Sequence, residues 1–192
     1  VSTHCYHVGR LGAYVQKAAE QGMFALAAAN SSRHGHWVAP WGGTEGRLAT
    51  NPLAYAFPGE EFPVVFDMST SAISEGKIRL RMHQGQKLPP QSVLDAAGNP
   101  TEYPKEFYGP PKGTILPFGG SYGYKGFGLG LLVELLGSTL AGVPVTPDGA
   151  EDEYVNGFFI LVINPDSFGG KDQFRRHAEE LADYITSAAS AA

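Results

Sequence analysis

One lysine, Lys125, stands inside a glycine-rich loop, and this combination could bind an anion. The loop occupies residues 116–126 and includes Gly119, Gly120 and Gly126. Glycine has no Cβ, so it lets the backbone approach a ligand and adopt positive φ. An apolar run at residues 127–140 follows directly and predicts a helix that is shorter than a membrane span of roughly 20 residues. Free N–H groups, the positive end of the helix dipole and Lys125 would then lie together. A tight turn that leads into a buried helix is the alternative.

Four histidines in two close pairs, His4 with His7 and His34 with His36, raise the question of a metal site. Such a site normally needs three or four ligands at suitable spacing, and neither pair has further ligands close in sequence. We therefore expect no metal, and we interpret His34 and His36 as part of a polar surface turn. A metal-dependent hydrolase built on these four histidines is a remote alternative.

Asp67 stands at the end of a predicted strand, residues 62–68, and is followed by Ser69, Thr70 and Ser71. An acid at the end of a buried strand is a common ligand-facing arrangement, and hydroxyl side chains there can cap the next helix. The two interpretations are compatible, and the sequence leaves both open.

The elements that position these residues form a mixture of helices and strands, so the predicted class is α/β within a single domain over residues 1–192. Residues 72–84 fit either a helix or a strand. Residues 30–51 and 86–113 are expected to be ordered irregular stretches, the second one a surface loop. The spacing of apolar residues predicts amphipathic helices at 11–21 and 172–187, a helix buried on most sides at 127–140, and strands at 23–29, 52–57, 62–68 and 155–164.

The first 29 residues have the local order of a nucleotide-binding unit, namely strand, turn, helix and strand. However, the chain contains neither the Gly-x-Gly-x-x-Gly fingerprint nor the P-loop lysine motif. An ordinary Rossmann site is therefore not supported.

Composition and charge narrow the classes of function. The 192 residues carry a formal net charge of −5 and the basic residues do not cluster, which argues against nucleic acid as the main partner. The single cysteine, Cys5, excludes a disulfide framework within the chain and favours a reducing, cytoplasmic compartment. No apolar run is long enough to span a membrane, so we expect no membrane partner.

Seven stretches of the chain, taken in order, resemble the type 2 malate/L-lactate dehydrogenase family, whose relatives include ureidoglycolate dehydrogenase, sulfolactate dehydrogenase and the cyclic ketimine reductases. Each motif is weak alone, but seven in order over nearly the whole chain are specific. The stretches are HVGRLGAYVQKAAEQG, NSSRHGHWVAPWGG, RLATNP, PVVFDMSTSAISEGK, AAGNPT, LPFGGSYGYKGFGLGLLVELL and NGFFILVINP.

The resemblance implies a nicotinamide cofactor, NAD or NADP, held by a non-Rossmann domain whose largely antiparallel sheet is wrapped by helices. It also implies a homodimer. Ser69 departs from the alanine that is usual at its position. Carried over position by position, the implied cofactor contacts are His7, Gly9, Arg10, Leu11, Ser31, Asp67, Met68, Ser69, Gly119, Gly120, Lys125 and Gly126.

The reaction implied by the resemblance is reversible hydride transfer between NAD(P) and a small 2-hydroxy or 2-keto acid, with His7 and Lys77 as catalytic residues. An imidazole suits the proton transfer that accompanies the hydride. Lys77 follows Gly76 where the hydroxyacid dehydrogenases commonly carry lysine and the ketimine reductases can carry aspartate, which favours a hydroxyacid. A cyclic ketimine reductase and a non-catalytic module for cofactor binding or dimerisation are the alternatives.

Two parts of the family pattern do not occur in these 192 residues. One is an N-terminal helical segment with a Ser-His pair and an arginine that hold and protonate the substrate, and the other is a C-terminal segment that returns to the cofactor. We therefore expect a piece of a longer protein that binds cofactor better than it turns over substrate. Arg33 and Arg47 are both candidates for the 2′-phosphate of NADP, and nothing ranks them, so the choice between NAD and NADP stays open.

Overall fold

The computed structural model describes residues 1–142 and 156–190. Most of the predicted elements are present, with bounds that differ by a few residues. The strands are β1 Ser2–Cys5, β2 Phe24–Ala29, β3 Pro52–Phe57, β4 Val64–Ser69, β5 Val93–Leu94, β6 Pro100–Thr101, β7 Thr114–Ile115 and β8 Asn156–Ile163. The helices are α1 Leu11–Ala19, α2 Glu75–His83, α3 Pro104–Tyr108, α4 Tyr124–Gly137 and α5 Lys171–Thr186.

The strands form two sheets. The larger sheet has the order β1-β8-β2-β3-β4, and β1 runs antiparallel to β8, with Ser2 opposite Phe158 and Cys5 opposite Asn156. The smaller sheet has the order β6-β5-β7, and both of its pairings are antiparallel. The molecule thus combines helices with antiparallel strand pairs.

By its internal contacts the chain divides into two compact units. Unit one contains Val1–Val8, Ala28–Leu53 and Met68–Phe159, and unit two contains Gly9–Ala27, Ala54–Asp67 and Ile160–Ala192.

The core of unit one includes the stretch that the sequence suggested was a surface loop. Leu88, Val93 and Phe107, all from residues 86–113, are buried at 3% exposure or less. The prediction of a surface loop is wrong because β5 and β6 are only two residues long, which is too short for the alternation of apolar and polar residues to show. The full cluster is Val38, Leu48, Ile73, Ile78, Leu88, Val93, Phe107 and Ile115.

In unit two, α1 buries the apolar stripe that the sequence predicted, including Leu11 and Val15, and it ends two residues earlier than expected. Gly22, at φ +76°, follows in the left-handed conformation that commonly terminates a helix. Aromatic rings join the other elements of this unit. Tyr55 of β3 stacks on Phe66 of β4 at 5.2 Å, and Phe57 meets Phe174 of α5 edge to face at 6.5 Å.

Helix α4 is confirmed, but the expectation that it is buried on most sides is wrong for the described chain. Leu131, Leu132 and Leu135 are 44%, 44% and 45% exposed. Its buried face instead consists of Gly126, Gly130, Val133, Glu134 and Gly137. Small residues allow neighbouring backbone to pack closely against the helix. Packing fit, and not hydrophobicity, therefore determines which face of α4 is buried.

Two further apolar segments are also more exposed than the sequence indicated. In β8, Leu161 and Val162 are exposed, whereas a buried strand was expected; the predicted first residue of that strand, 155, lies outside the described residues. Helix α5 is confirmed, with Ala178 buried and Leu181 exposed on the predicted stripe. No helix in the described ranges is both long and apolar enough to cross a membrane.

Candidate functional site

The glycine–lysine loop of unit one has the backbone that its sequence predicts. Gly119 and Gly120 have φ of +119° and +55°, in the left-handed region that favours glycine. A short 3-10 turn, Gly120–Tyr122, leads to α4, whose N-cap residue Gly123 provides no side-chain cap. The first N–H groups of a helix have no partner within it, so the start of α4 presents donors to a ligand.

Lys125 lies in the first turn of α4 and is exposed. Its Nζ stands 5.3 Å from the ring centroid of Tyr122. The ammonium group and the N-terminal end of the helix therefore place positive charge and hydrogen-bond donors close together, which is an arrangement that suits a phosphate.

Aromatic side chains border this loop. Trp41, from the irregular residues 30–51, has its ring centroid 6.4 Å from that of Tyr124, which in turn is 6.4 Å from that of Tyr122. A Cβ on Gly123 would lie 2.5 Å from Cζ3 of Trp41, so the indole packs directly on the glycine. Gly126 has an equally structural reason to lack a side chain, because a Cβ there would lie 2.2 Å from the carbonyl oxygen of Phe118.

The segment after β4 runs beside this loop. The N–H of Phe118 donates to the carbonyl of Thr70 at 3.0 Å, and the N–H of Ala72 donates to the carbonyl of Leu116 at 2.8 Å. The hydrogen bond between Thr70 and Phe118 therefore brings the segments of two predicted cofactor residues together. Ser69 directly precedes Thr70, and Gly119 directly follows Phe118.

The hydroxyl groups of residues 69–71 do not cap the next helix, so that prediction is wrong. Helix α2 begins only at Glu75, and its N-cap is Ser74, which makes no side-chain cap. Ser69 Oγ donates to the carbonyl of Ser71, and Ser71 Oγ donates to the carbonyl of Ile73. These hydroxyls stabilise the turn between β4 and α2.

Asn156, at the start of β8, links the segments of His7 and Ser31. Its Nδ2 donates to the carbonyl of Tyr6 at 2.9 Å, and its Oδ1 accepts from the N–H of Ser32 at 3.4 Å. The His7 side chain is exposed, and Ser31 is half-buried.

A buried carboxylate, Glu134 of α4, is 2% exposed and accepts from two asparagine side chains. Asn30 Nδ2 donates to Oε1 at 2.7 Å, and Asn51 Nδ2 donates to Oε2 at 2.8 Å. Asn30 Oδ1 also accepts from the N–H of Gly157 at 2.7 Å. These four residues join α4, β8 and both ends of residues 30–51.

Unit two holds the remaining predicted contacts, which are Gly9, Arg10, Leu11 and Asp67. Oδ2 of Asp67 accepts from the N–H of Gly12 at 2.7 Å, at the start of α1. Arg10 Nη2 donates to Gln16 Oε1 at 3.1 Å. Leu11 is 2% exposed, so its side chain belongs to the core of the unit and is not available to a ligand.

Lys77, the second predicted catalytic residue, is exposed in the first turn of α2. The structure shows no hydrogen bond or ion pair between the side chains of Lys77 and His7, which both lie in the described part of unit one. The same part of the chain, taken with the described part of unit two, contains no group of three histidine, cysteine, aspartate or glutamate side chains that could hold a metal ion.

A cleft of about 520 Å³ in unit two is not made of the predicted residues. It is lined by both acidic and basic side chains, among them Glu60, Glu61, Lys171 and Arg175. None of the predicted site residues lines this cleft, so the candidate site rests on the segments described above.

The chain thus belongs to the class of α/β proteins with antiparallel strand pairs, and its glycine–lysine loop leads into a helix N-terminus. The family model for malate/L-lactate dehydrogenase matches residues 1–192, and the chain belongs to that family.

The relatives that this chain matches are named for different activities. The chain is 36% identical over 184 residues to the L-lactate dehydrogenase of Cupriavidus necator, covering 94% of this chain and 52% of that protein. It is 39% identical over 176 residues to Delta(1)-pyrroline-2-carboxylate reductase 1 of Burkholderia ambifaria, covering 88% and 49%. The crystal structure of malate dehydrogenase from Entamoeba histolytica superposes with a TM-score of 0.85 at 28% identity, covering 96% of this chain and 54% of that one. The chain thus spans about half the length of the curated relatives it matches.

Sequence analysis missed three asparagines that join segments of the candidate site by hydrogen bonds, Asn30, Asn51 and Asn156. Asparagine is common at turns, so its presence beside strands and loops carried no signal. Glu134 did carry one, because it is the only charge in the apolar run of residues 127–140.

Proposed function

We propose that this chain binds the nicotinamide dinucleotide NAD or NADP through a non-Rossmann site. The whole protein would use it as a cytoplasmic oxidoreductase that acts on a small 2-hydroxy or 2-keto acid. The observation that carries the proposal is the exposed Lys125 in the first turn of α4, beside an uncapped helix start and two left-handed glycines. The absence of a Gly-x-Gly-x-x-Gly motif supports a non-Rossmann site.

The residues present fit such a cofactor. A Cβ on Gly120 would have only Gln91 Oε1 nearby, at 3.5 Å, so the space beside this glycine is open to a ligand. Lys125 makes no ion pair with an acidic residue among those described, and it therefore remains available to a phosphate. When bound, the cofactor supplies the redox chemistry, and the protein binds and orients it.

The chain's own side chains then have distinct proposed roles. His7 takes the proton from the substrate hydroxyl when the alcohol carbon is oxidised, and returns it in the reverse direction. Lys77 supplies a positive charge to the substrate, with Arg10 as a further cation for its carboxylate. The backbone of Gly9 and Leu11, and the side chains of Ser31, Asp67, Met68 and Ser69, contact the nucleotide.

The competing activity within the family is reduction of a cyclic imine, as the name of the Burkholderia relative states. An imine is reduced most readily as its protonated, positively charged form, which a neighbouring lysine would repel. Lys77 therefore supports the hydroxyacid. Assays with pyruvate, oxaloacetate and a cyclic imine, each with NADH and with NADPH, compare the two activities directly.

The experiment that tests cofactor binding is a fluorescence titration of NADH and of NADPH into the purified chain. Loss of the Lys125 ammonium should weaken binding about tenfold, which corresponds to about 1.4 kcal/mol. Lys17→Ala, which removes an exposed lysine of α1 outside the proposed site, is the matched control and should bind normally. His7→Ala, at a predicted cofactor contact without a charge on the phosphate, should weaken binding less than Lys125→Ala. A folded chain that binds neither nucleotide would contradict the proposal.

We further propose a homodimer, as the family resemblance implies. The exposed leucines of α4 support it, because monomers rarely expose large contiguous apolar patches. Light scattering on the eluting peak of a gel-filtration column should give twice the chain mass of 20.5 kDa. A single chain mass at all protein concentrations would rule the homodimer out.

A further inference from the structure

The carboxylate of Glu134 holds both ends of the irregular residues 30–51. Its two oxygens accept separately from Asn30, the first residue of that stretch, and from Asn51, the last. Asn51 Nδ2 also donates to the carbonyl of Gly130, one turn earlier on α4, at 2.9 Å. Asn51 is fully buried with φ +39°, a conformation uncommon outside glycine. The ends of a stretch of 22 residues are thus fixed to one helix by one acid.

The same cluster continues toward the loop of Gly119. The carbonyl of Asn51 accepts from Thr70 Oγ1 at 3.0 Å, and Thr70 is itself 3% exposed. The carbonyl of Thr70 accepts from the N–H of Phe118 at 3.0 Å. Asn30, Thr70 and Phe118 immediately neighbour Ser31, Ser69 and Gly119 respectively, which are three of the proposed nucleotide contacts. A further proposed contact, Lys125, lies on the helix that carries Glu134.

A carboxylate is unusual at this buried position of α4. Burying a charge is costly unless it is compensated, and an apolar side chain of similar size would suit the apolar sequence of α4 better. The carboxylate of Glu134 accepts hydrogen bonds from the two asparagine amides. Asn51 Oδ1 is buried and accepts no hydrogen bond from the described residues. The cluster therefore contributes a defined geometry, because the amides of Asn30 and Asn51 each donate to a different oxygen of Glu134.

We infer that Glu134 is a positioning residue of the nucleotide site: its carboxylate sets the relative positions of the Ser31, Ser69 and Gly119 segments and of the helix that carries Lys125. The inference rests on the proposed function for its ligand. It assigns Glu134 no contact with the nucleotide and no step in the reaction.

The test begins with Glu134→Gln, which keeps the shape of the side chain and replaces one acceptor oxygen by a donor NH₂. One asparagine amide then faces another donor. Circular dichroism checks that the Glu134→Gln chain still folds. In the folded variant we expect the affinity for NADH to fall about tenfold. We also expect trypsin to cleave faster within residues 30–51, at Arg33 or Arg47.

A second substitution should reverse both effects. In Asn30→Asp combined with Glu134→Gln, the new glutamine Nε2 can donate to one aspartate oxygen, while the other aspartate oxygen accepts from the N–H of Gly157 as Asn30 does now. The glutamine oxygen remains free to accept from Asn51. Affinity and protection from trypsin should return to within about twofold of the wild-type values. Asn30→Asp alone, which places two carboxylates together, should be at least as impaired as Glu134→Gln.

Ser138→Ala is the matched control for a merely structural effect. Ser138 is the buried C-cap residue of α4, and its Oγ donates to the main-chain carbonyl of Glu134 at 2.7 Å and not to the carboxylate. This variant should lose thermal stability and keep its NADH affinity. Wild-type affinity in folded Glu134→Gln, or failure of the double variant to recover, would overturn the inference.

Failure of the proposed function itself gives a different pattern. If the wild-type chain binds neither NADH nor NADPH, the proposed ligand is wrong and the trypsin data decide the role of Glu134. Faster cleavage in Glu134→Gln with recovery in the double variant would retain its positioning of residues 30–51. Unchanged cleavage would overturn that role too.

Discussion

At the residue scale, Asp67 has a structural role in addition to its predicted contact with a nucleotide. Its Oδ2 accepts from the N–H of Gly12, 55 positions away in the sequence, and so caps the start of α1 in place of the residue before the helix. The N-cap residue Arg10 makes no such bond. The second oxygen of the exposed carboxylate is left for the nucleotide contact that the family resemblance implies.

Asp67→Ala should therefore lower the free energy of unfolding by about 1 kcal/mol, the usual loss for a helix N-cap. Asp67→Asn should cost less, because the amide oxygen can still accept while the favourable charge at the helix N-terminus is lost. Urea unfolding of the three proteins measures both differences. Equal stability of all three would show that the bond to Gly12 contributes nothing.

The residues that sequence analysis selected differ in a physical way from those it did not. Lys125 and Asp67 were predicted because a charge beside glycines or at a strand end is unusual in itself, and their contact with a nucleotide stays a prediction. Asn30, Asn51 and Asn156 act through partners more than 70 positions away, and their identity alone does not reveal such a partner. Only Glu134, as a single charge in an apolar run, marked the cluster in the sequence.

At the element scale, helices α2 and α3 are joined by a small polar group. Tyr108 of α3 donates its hydroxyl to Glu75 Oε1 at 2.8 Å, and Arg79 donates to the same carboxylate from one turn along α2. Burial raises the pKa of Tyr108 to about 12, aided by the hydrogen bond to Glu75 and by its charge. For Glu75, burial acts to raise the pKa, but the hydrogen bonds from Arg79 and Tyr108 outweigh it and the pKa is lowered.

The stability contributed by this group should depend on pH at both extremes. Because the Tyr108 pKa is higher in the folded state, its contribution is complete below pH 10 and is lost as the pH rises towards 12. Because the Glu75 pKa is lower in the folded state, its contribution is complete above pH 4.5 and is lost as the pH falls through the folded value.

Tyr108→Phe should thus cost about 1 kcal/mol at pH 7, and the difference from wild type should shrink above pH 10. Denaturant unfolding at pH 7, 9 and 11 measures it. Tyr184→Phe, which removes the hydroxyl of a 78% exposed tyrosine, should show no such difference. A constant difference across these pH values would mean that the hydroxyl of Tyr108 is not held by Glu75.

The close approach of β8 to the end of α4 gives a second prediction at this scale. A Cβ on Gly157 would lie 1.6 Å from the carbonyl oxygen of Gly137, so Gly157→Ala forces backbone apart and should lower the free energy of unfolding by about 3 kcal/mol or prevent folding. Gly128→Ala, on the open face of α4, should instead stabilise by about 0.5–1 kcal/mol through helix propensity. Thermal unfolding separates the two, and similar effects of both would contradict the packing of Gly157.

Elements with a clear apolar pattern were predicted, whereas the short strands were not, and α2 at Glu75–His83 was left open between helix and strand. Helices α1, α4 and α5 and strands β2, β3 and β4 all have clear sequence patterns. Strands β5, β6 and β7 have two residues each, so their pairing depends on where the turns between them place the chain. Burial was harder to predict than secondary structure. The leucines of α4 and the apolar residues of β8 have a core-like sequence but are exposed in this chain.

At the scale of the whole molecule, order along the sequence was more informative than any one motif. Seven weak matches in a fixed order predicted the family, and the family model confirmed it over residues 1–192. The division into two contact units had no counterpart in the sequence, because each unit is assembled from three separate segments and no linker marks a boundary.

A ligand that binds only the folded chain must stabilise all of it, and this gives the last prediction. At a free NADH concentration one hundred times the dissociation constant, the free energy of unfolding should rise by about 2.7 kcal/mol. At the same concentration Lys125→Ala, with affinity about tenfold weaker, should gain only about 1.4 kcal/mol. Urea unfolding with and without NADH measures both gains, and the dissociation constants that they imply must equal those from the fluorescence titration. A fluorescence change that saturates without any gain in stability would show that NADH binds the unfolded chain equally well, and such binding could not come from the folded loop around Lys125.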